Sequence, residues 1–350
     1  MPIPMNTKGP LVSVVMANYN TPEQYLRSAI DSVLNQTYQN FEFIIVDDAS
    51  TENDVAVIKS YADNRIILLQ NQRNHHVSYT VNRGLALAQG EYIARMDSDD
   101  ICLPQRLEKQ VAFMQKRRDI DILCAQAQLI GAKNGVFALG VRCPDKFNVM
   151  LFFGCPIVNP TVMLRASYIK KHGLLYDDSS PFKAAEDYEL WSRCLKTARI
   201  YEYPKVLLKY RVHAKQISTL TAKLQIESAN RIRRSMLGWL GIEPNPRDMS
   251  VHYLFCTATI SPDVPLEESE SWARRLLDGN RQHRVFNPHY FKREVLEHFF
   301  VVAVKKLTQK QATLRQVLGL RMMRQALMPV YVPGYFKRYL FSKRLNRFIK

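Results

Sequence analysis

The chain has 350 residues, of which 47% are apolar and 23% charged, so neither a wholly disordered chain nor a low-complexity one fits. Lysine and arginine number 49 against 32 acids, a net charge of +17 that implies an anionic partner. No stretch approaches the ~18 consecutive apolar residues of a membrane span.

The first hundred residues alternate apolar runs with helical periods. Leu11–Met16 reads as a buried strand. Thr21-Pro22-Glu23 reads as a helix start, with Thr21 as N-cap and Pro22 at the first helical position. That helix is expected to run to about Asn35, burying Leu26, Ile30, Val33 and Leu34. Phe41–Val46 is the second strand, residues 52–62 a helix and Arg65–Leu69 the third strand. Val77–Gln89 is a helix closed by Gly90, and Tyr92–Met96 is the fourth strand. Repeated β-α-β units with apolar strands indicate a parallel sheet covered on both faces. In such sheets ligands bind beyond the carboxyl ends of the strands. Those ends are polar here: Asn18-Tyr19-Asn20, Asp47-Asp48, Gln70-Asn71 and Asp97-Ser98-Asp99-Asp100. From about residue 219 the pattern becomes helical, with segments expected at 250–260, 265–279, 290–308 and 312–327.

Three acidic clusters could carry chemistry. Asp47-Asp48 follows the second strand, where a carboxylate could accept the N–H of a nucleobase; a self-capped polar turn is the plainer alternative. Asp97-Ser98-Asp99-Asp100 places three carboxylates in four residues. Their repulsion suits a hard divalent cation with room left for diphosphate oxygens, although Asp99 or Asp100 could instead cap the helix that Leu103-Pro104 begins. Glu186-Asp187 falls in the first turn of a helix with Leu190, Trp191, Cys194 and Leu195 on its apolar side, a place where acids also favour the helix dipole.

In order along the chain stand Val12-Ser-Val-Val-Met-Ala-Asn-Tyr-Asn20, Ser32-Val-Leu-Asn-Gln-Thr-Tyr38, Ile45-Val-Asp-Asp-Ala-Ser50, Asn82-Arg-Gly84 and Gly90–Asp100. Pro104-Gln-Arg-Leu107, Asn159-Pro-Thr161, Glu186–Trp191 and Tyr210-Arg-Val-His213 complete the series. This series resembles the family 2 glycosyltransferases with the GT-A fold, of the bacterial surface-polysaccharide type, over about residues 10–220. The resemblance implies an α/β fold: a mostly parallel nucleotide-sugar-binding sheet flanked by helices, with a C-terminal helical extension. It implies that Ala17, Tyr19 and Asp47 or Asp48 hold the base, with Asn82 near the donor. Asp97 and Asp99 would form a D-x-D pair on ribose, metal (manganese or magnesium) and diphosphate. Asp187 would be the general base and Glu186 its support or an orienter of the acceptor. Arg211 and His213 would close on the diphosphate, His213 as a metal ligand. The expected reaction is inverting, single-addition transfer of a hexose or N-acetylhexosamine from a UDP-sugar to a hydroxyl of a saccharide acceptor, expected to be lipid-linked, in capsule, O-antigen or exopolysaccharide assembly. The sequence departs from many relatives at Asn74-His75-His76 and Thr80-Val81. A metal-dependent nucleotidyltransferase and a non-catalytic basic protein binding nucleic acid or membrane stand as alternatives. A nicotinamide enzyme is disfavoured, since no G-x-G-x-x-G follows the first strand.

The charge is uneven. Residues 1–200 hold 22 basic and 21 acidic side chains, residues 201–350 hold 27 and 11, and no acid follows Glu297. The expected organisation is a catalytic domain over 10–219, a helical domain over 220–330 and a basic aromatic tail over 331–350. In the tail, Phe336, Tyr339, Leu340, Leu345 and Phe348 can share one side of a helix suited to an anionic membrane surface, with no nucleic acid expected. The N-terminus lacks the basic and apolar regions of a signal peptide. A cytoplasmic protein, peripheral on the inner membrane, is therefore expected. Six scattered cysteines form no C-x-x-C pair, so reduced thiols are expected rather than structural zinc.

Overall fold

A computed structural model of the protein describes residues 9–178, 184–213 and 221–327. The tail expected at 331–350 lies outside the described residues. Packing separates two compact units. One holds the described residues up to Pro144 and those between Pro156 and Gln225. The other holds Asp145–Cys155 and the described residues from Ile226 onward.

The first unit opens with the alternation read above: β1 (Val12–Asn18), α1 (Glu23–Leu34), β2 (Phe41–Asp47), α2 (Asp54–Lys59), β3 (Ile66–Gln70), α3 (His76–Leu87) and β4 (Tyr92–Asp97). It continues through β5 (Ile101–Cys102), α4 (Arg106–Lys116), β6 (Ile122–Gly131), β7 (Gly135–Phe137), β8 (Met163–Arg165), α6 (Ala166–His172), α7 (Glu186–Cys194) and β9 (Ile200–Val212); α5 (Pro144–Phe153) falls almost wholly in the second unit. Among the described residues nine strands form one sheet in the order β3-β2-β1-β4-β8-β6-β9-β5, with β7 on β6. The β3-β2-β1-β4 block is parallel, β8 runs against β4 and β6, and β9 is again parallel to β6. The central strands are apolar because both faces are covered: Val12, Val15, Phe43 and Ile44 are fully buried.

Several local expectations change. Pro22, not Thr21, occupies the cap of α1, and no side chain caps it. The Thr21 amide donates to Asp54 Oδ2 at 2.9 Å and its hydroxyl pairs with Ser98 at 2.7 Å, so Thr21 ties two loops together. The helix expected at 52–62 shrinks to α2. Helix α3 ends at Leu87 rather than at Gly90. Gly90 instead donates its N–H to Ser13 Oγ at 2.8 Å, in a spot where a Cβ would stand 2.5 Å from the Ser13 amide. Asp100 caps no helix; it accepts the Arg211 N–H at 2.7 Å.

The second unit contains α5 and most of α8 (Ala222–Trp239), then α9 (Pro246–Thr257), α10 (Leu266–His283), α11 (Pro288–Thr308), α12 (Leu314–Gly319) and α13 (Arg321–Ala326). The single helix expected over 312–327 is broken by extended backbone at Leu320. Aromatic rings fill its core. Phe286 and Phe291 stack at 5.2 Å, and Trp272 donates its indole N–H to His252 Nδ1 at 3.2 Å. No helix among the described residues is long and apolar enough to cross a membrane.

Candidate active site

Parallel register aligns the polar strand ends. Asn18 lies opposite Asp47, and Ala17 lies between Val46 and Asp97. Tyr19, just beyond β1, exposes 46% of its surface. Asp47 and Asp48 are both buried but differently engaged. Asp47 uses both oxygens within its turn: Oδ1 accepts from Asn18 Nδ2 and Ser50 Oγ, and Oδ2 accepts from the Ser50 amide. Among the described residues Asp48 accepts through Oδ1 alone, from Asn71 Nδ2 at 2.6 Å and the His75 amide at 2.9 Å.

Strand β4 delivers Asp97 to the rim of the sheet. Arg95 lies two residues earlier on the same face of the strand and is fully enclosed. Its Nη2 donates to Asp97 Oδ1 at 2.9 Å and its Nη1 to the Val15 and Met96 carbonyls. The two-residue strand β5 pairs with β9, Ile101 against Lys209. That pairing carries the end of β9 past the acidic loop. Arg211 donates its amide to Asp100 and its Nε to the Asp99 carbonyl at 2.8 Å, and His213 Nε2 lies 2.9 Å from Asp99 Oδ2. The Arg211 guanidinium rests 4.1 Å over the Tyr25 ring, and the same ring lies 5.7 Å from His213.

Helix α7 brings the third cluster. Its apolar side, with Trp191 fully buried, seats the helix so that Glu186 and Asp187 occupy the first turn. Asp187 Oδ1 accepts the Tyr188 amide at 2.6 Å, as acids at helix N-termini do. Burial pushes Glu186 up to about 7, and the charge of Asp187 adds to it. Burial also raises Asp187. The charge of Asp97 pushes both in the same direction, while Arg95 opposes. Residues 97, 186 and 187, far apart in sequence, therefore share one electrostatic neighbourhood around a single buried arginine. Asp100 is raised well above the carboxylate range, first by burial and then by Asp99 and Asp97.

Asn82 is placed differently. Its amide donates to the Tyr176 carbonyl and accepts the Tyr176 N–H, clamping that backbone. The adjacent histidines diverge: His75 stacks on Tyr79 at 4.2 Å, and His76 takes a left-handed backbone with φ of 67°. The sequence reading missed Arg95, Tyr25 and Tyr176. Arg95 was legible in principle, since a charge inside an otherwise apolar central strand needs a partner, and the period of two supplies Asp97.

No three His, Cys, Asp or Glu side chains among the described residues are grouped to hold an ion. Two donors nevertheless fit one. Asp99 Oδ2 and His213 Nε2 are separated by 2.9 Å, the spacing of neighbouring ligands about 2.1 Å from a shared octahedral ion. Asp100 adds a buried carboxylate oxygen with no hydrogen-bond partner among the described residues, in a group that feels the charge of Asp99. Such a partial set suits magnesium or manganese, which take one or two protein ligands and complete their shell with water and phosphate oxygens.

Comparisons with known proteins bear on the family and the fold. The sequence profile of "Glycosyl transferase family 2" matches residues 13–149. An uncharacterized glycosyltransferase of Haemophilus influenzae is 34% identical over 238 residues, covering 64% of this chain and 72% of that one. The O-antigen biosynthesis glycosyltransferase WbnJ of Escherichia coli is 33% identical over 259 residues, covering 71% of this chain and 97% of that one. In fold, the chain is similar to residues 1–349 of S. aureus TarS solved with UDP-GlcNAc, at a TM-score of 0.59 and 18% identity, over 87% of this chain and 93% of that one. The sheet is that of the GT-A fold, followed by C-terminal helices, and the chain belongs to glycosyltransferase family 2.

Proposed function

We propose that this glycosyltransferase moves a hexose or N-acetylhexosamine from a UDP-sugar to a hydroxyl of a saccharide acceptor, with inversion, in surface-polysaccharide assembly. The observation that carries the proposal is the meeting of Asp97, Glu186 and Asp187 beside the Asp99–His213 pair. The uridine assignment draws on the UDP-GlcNAc complex of the TarS structure, and the pathway on WbnJ.

The base is held between Ala17 and the exposed ring of Tyr19. Asp48 is the better acceptor for its N–H, because Asp47 has both oxygens engaged in the turn while Asp48 Oδ2 accepts no hydrogen bond among the described residues. Asn82 acts at one remove, by fixing the backbone at Tyr176. Asp97, oriented by Arg95, faces the ribose and diphosphate. Asp99 and His213 are the protein ligands for a manganese or magnesium ion. When bound, such an ion neutralises charge on the diphosphate. Among the described residues the Arg211 guanidinium makes one hydrogen bond, through Nε, so its two Nη groups can meet the leaving oxygens.

Transfer breaks the bond from the anomeric carbon to the diphosphate oxygen, which leaves with the electron pair. The acceptor hydroxyl attacks from the opposite face, forming the glycosidic bond, and Asp187 takes its proton. The raised pKa of Glu186 keeps a proton beside Asp187 near neutral pH and limits repulsion between the two carboxylates. A lipid-linked acceptor at the cytoplasmic leaflet, reached through the basic tail, completes the proposal.

The test is a screen of UDP release from a panel of nucleotide-sugars, with manganese and membrane extract as acceptor source. One UDP-sugar should exceed the rest, and its release should require the extract. Transfer of the uridylyl group with release of the sugar phosphate, or preference for a non-uridine donor, would contradict the assignment.

A further inference from the structure

The second unit holds a cavity of about 460 Å³ lined from α10, α11 and α13. Its charged lining is four cations, Arg274, Arg281, Lys292 and Arg321, against one acid, Asp278, with Asn280 and Gln325 as neutral polar groups. The pairings are partial. Arg274 meets Glu270 at 3.1 Å, and Glu270 also accepts the Met322 amide at 2.7 Å, which ties α13 to α10. Arg281 meets Asp278 at 3.2 Å, but that pair is 80% and 66% exposed and contributes little. Lys292 and Arg321 are exposed and make no hydrogen bond or ion pair among the described residues. No aspartate or glutamate follows Glu297 in the sequence.

We infer that this cavity is a binding site for a phosphorylated ligand. Three guanidinium forks and an ammonium arriving from three helices match the several oxygens of a phosphate or diphosphate better than a lone carboxylate. The cavity exceeds what one inorganic phosphate fills, and half-buried Leu277 with exposed Pro288 offers apolar contact to the remainder of an ester. Single-stranded nucleic acid is a poor match. The one aromatic ring in the lining, Phe291, is completely buried and presents no face on which a base could stack. The phosphate can belong to a lipid headgroup or to a soluble molecule; the same cations would hold either. The inference does not rest on the proposed donor, acceptor or catalytic residues.

The test is calorimetric titration of the full chain, without metal, using two probes: inorganic pyrophosphate and monomeric dihexanoyl phosphatidic acid. The comparison protein is the double variant Lys292→Glu/Arg321→Glu, with its fold checked by circular dichroism and by manganese-dependent UDP binding, which should match wild type. The wild-type chain should bind at least one probe, and the double variant should bind it at least tenfold more weakly. Equal affinity for both probes identifies a soluble phosphate site, and tenfold tighter binding of the lipid identifies a headgroup site. Absence of binding by either probe, or binding unchanged in the double variant, would overturn the inference. Loss of sugar transfer with the cavity intact would instead fault the catalytic proposal.

Discussion

Asp47 and Asp48 are sequence neighbours with different chemistry, and the difference lies in who else reaches them. Ser50 and Asn18 saturate the first; the second keeps one oxygen free of hydrogen bonds among the described residues. Arg95 and Asp97 show the opposite case, two residues whose separation of two makes them one unit. Replacing Arg95 by methionine leaves Asp97 and its neighbouring acids without their buried counter-charge. A stability loss of about 3 kcal/mol is expected, the low end for a broken buried pair because Asp97 is 34% exposed on its side chain. Urea unfolding at pH 7 measures it, and a loss below about 0.5 kcal/mol would show that Arg95 does not hold the site. Tyr25 offers a subtler test. Its ring supports the Arg211 guanidinium at 4.1 Å. Tyr25→Ala should raise the donor KM about fivefold with kcat nearly unchanged, the effect of losing about 1 kcal/mol of cation–π contact, while Tyr25→Phe keeps the wild-type KM. Equal effects of the two variants would point to the hydroxyl instead. The acidic triplet and Glu186-Asp187 could be read from the chain because charge clusters are visible in one dimension. Tyr25 and Tyr176 could not, because an isolated tyrosine carries no sign of which loop will lie across it.

Elements decide where those side chains go. The β3-β2-β1-β4 block was legible because buried parallel strands must be apolar throughout. The strands beyond it were not. β5 has two residues, and β9 carries Glu202, Pro204, Lys205 and Lys209 within one strand, so neither shows a clean period. Yet their pairing is what brings Arg211 and His213 to Asp99. Helix α3 shows how closely the layers fit. A Cβ on Gly84 would lie 2.6 Å from Val15 Cγ1 and 3.3 Å from Val46 Cγ2, directly over the strands that end at Asn18 and Asp47. Gly84→Ala should therefore destabilise by about 1–2 kcal/mol, although alanine favours a helix by about 1 kcal/mol. Thermal melting measures this, and a stabilised variant would mean that α3 shifts without cost.

At the scale of the whole molecule the two units should respond oppositely to pH in the absence of metal. In the first, Glu186 is raised from 4.5 to about 7, and Asp97, Asp100 and Asp187 are raised as well. Between pH 4.5 and 7 the unfolded chain releases these protons before the folded one, so stability falls as pH rises across that window. In the second, burial lowers His252 well below 6.5 and His298 to about 3. There the unfolded state takes up protons first, and stability is lost as pH falls below 6.5. Hydrogen exchange resolved by peptide should show β4 and α7 more protected at pH 5 than at pH 7, and α9 and α11 less protected. Glu186→Gln should flatten the first response and leave the second alone; parallel responses in both units would refute this. The charge asymmetry that announced a divided molecule was plain in the sequence, but the inclusion of 145–155 with the C-terminal helices was not, because no break in composition marks it. The most direct test of the whole account is turnover of Asp187→Asn against its affinity for UDP with manganese. The account predicts turnover reduced on the order of 10²–10⁴-fold with UDP affinity within about threefold of wild type. Turnover close to wild type would contradict it.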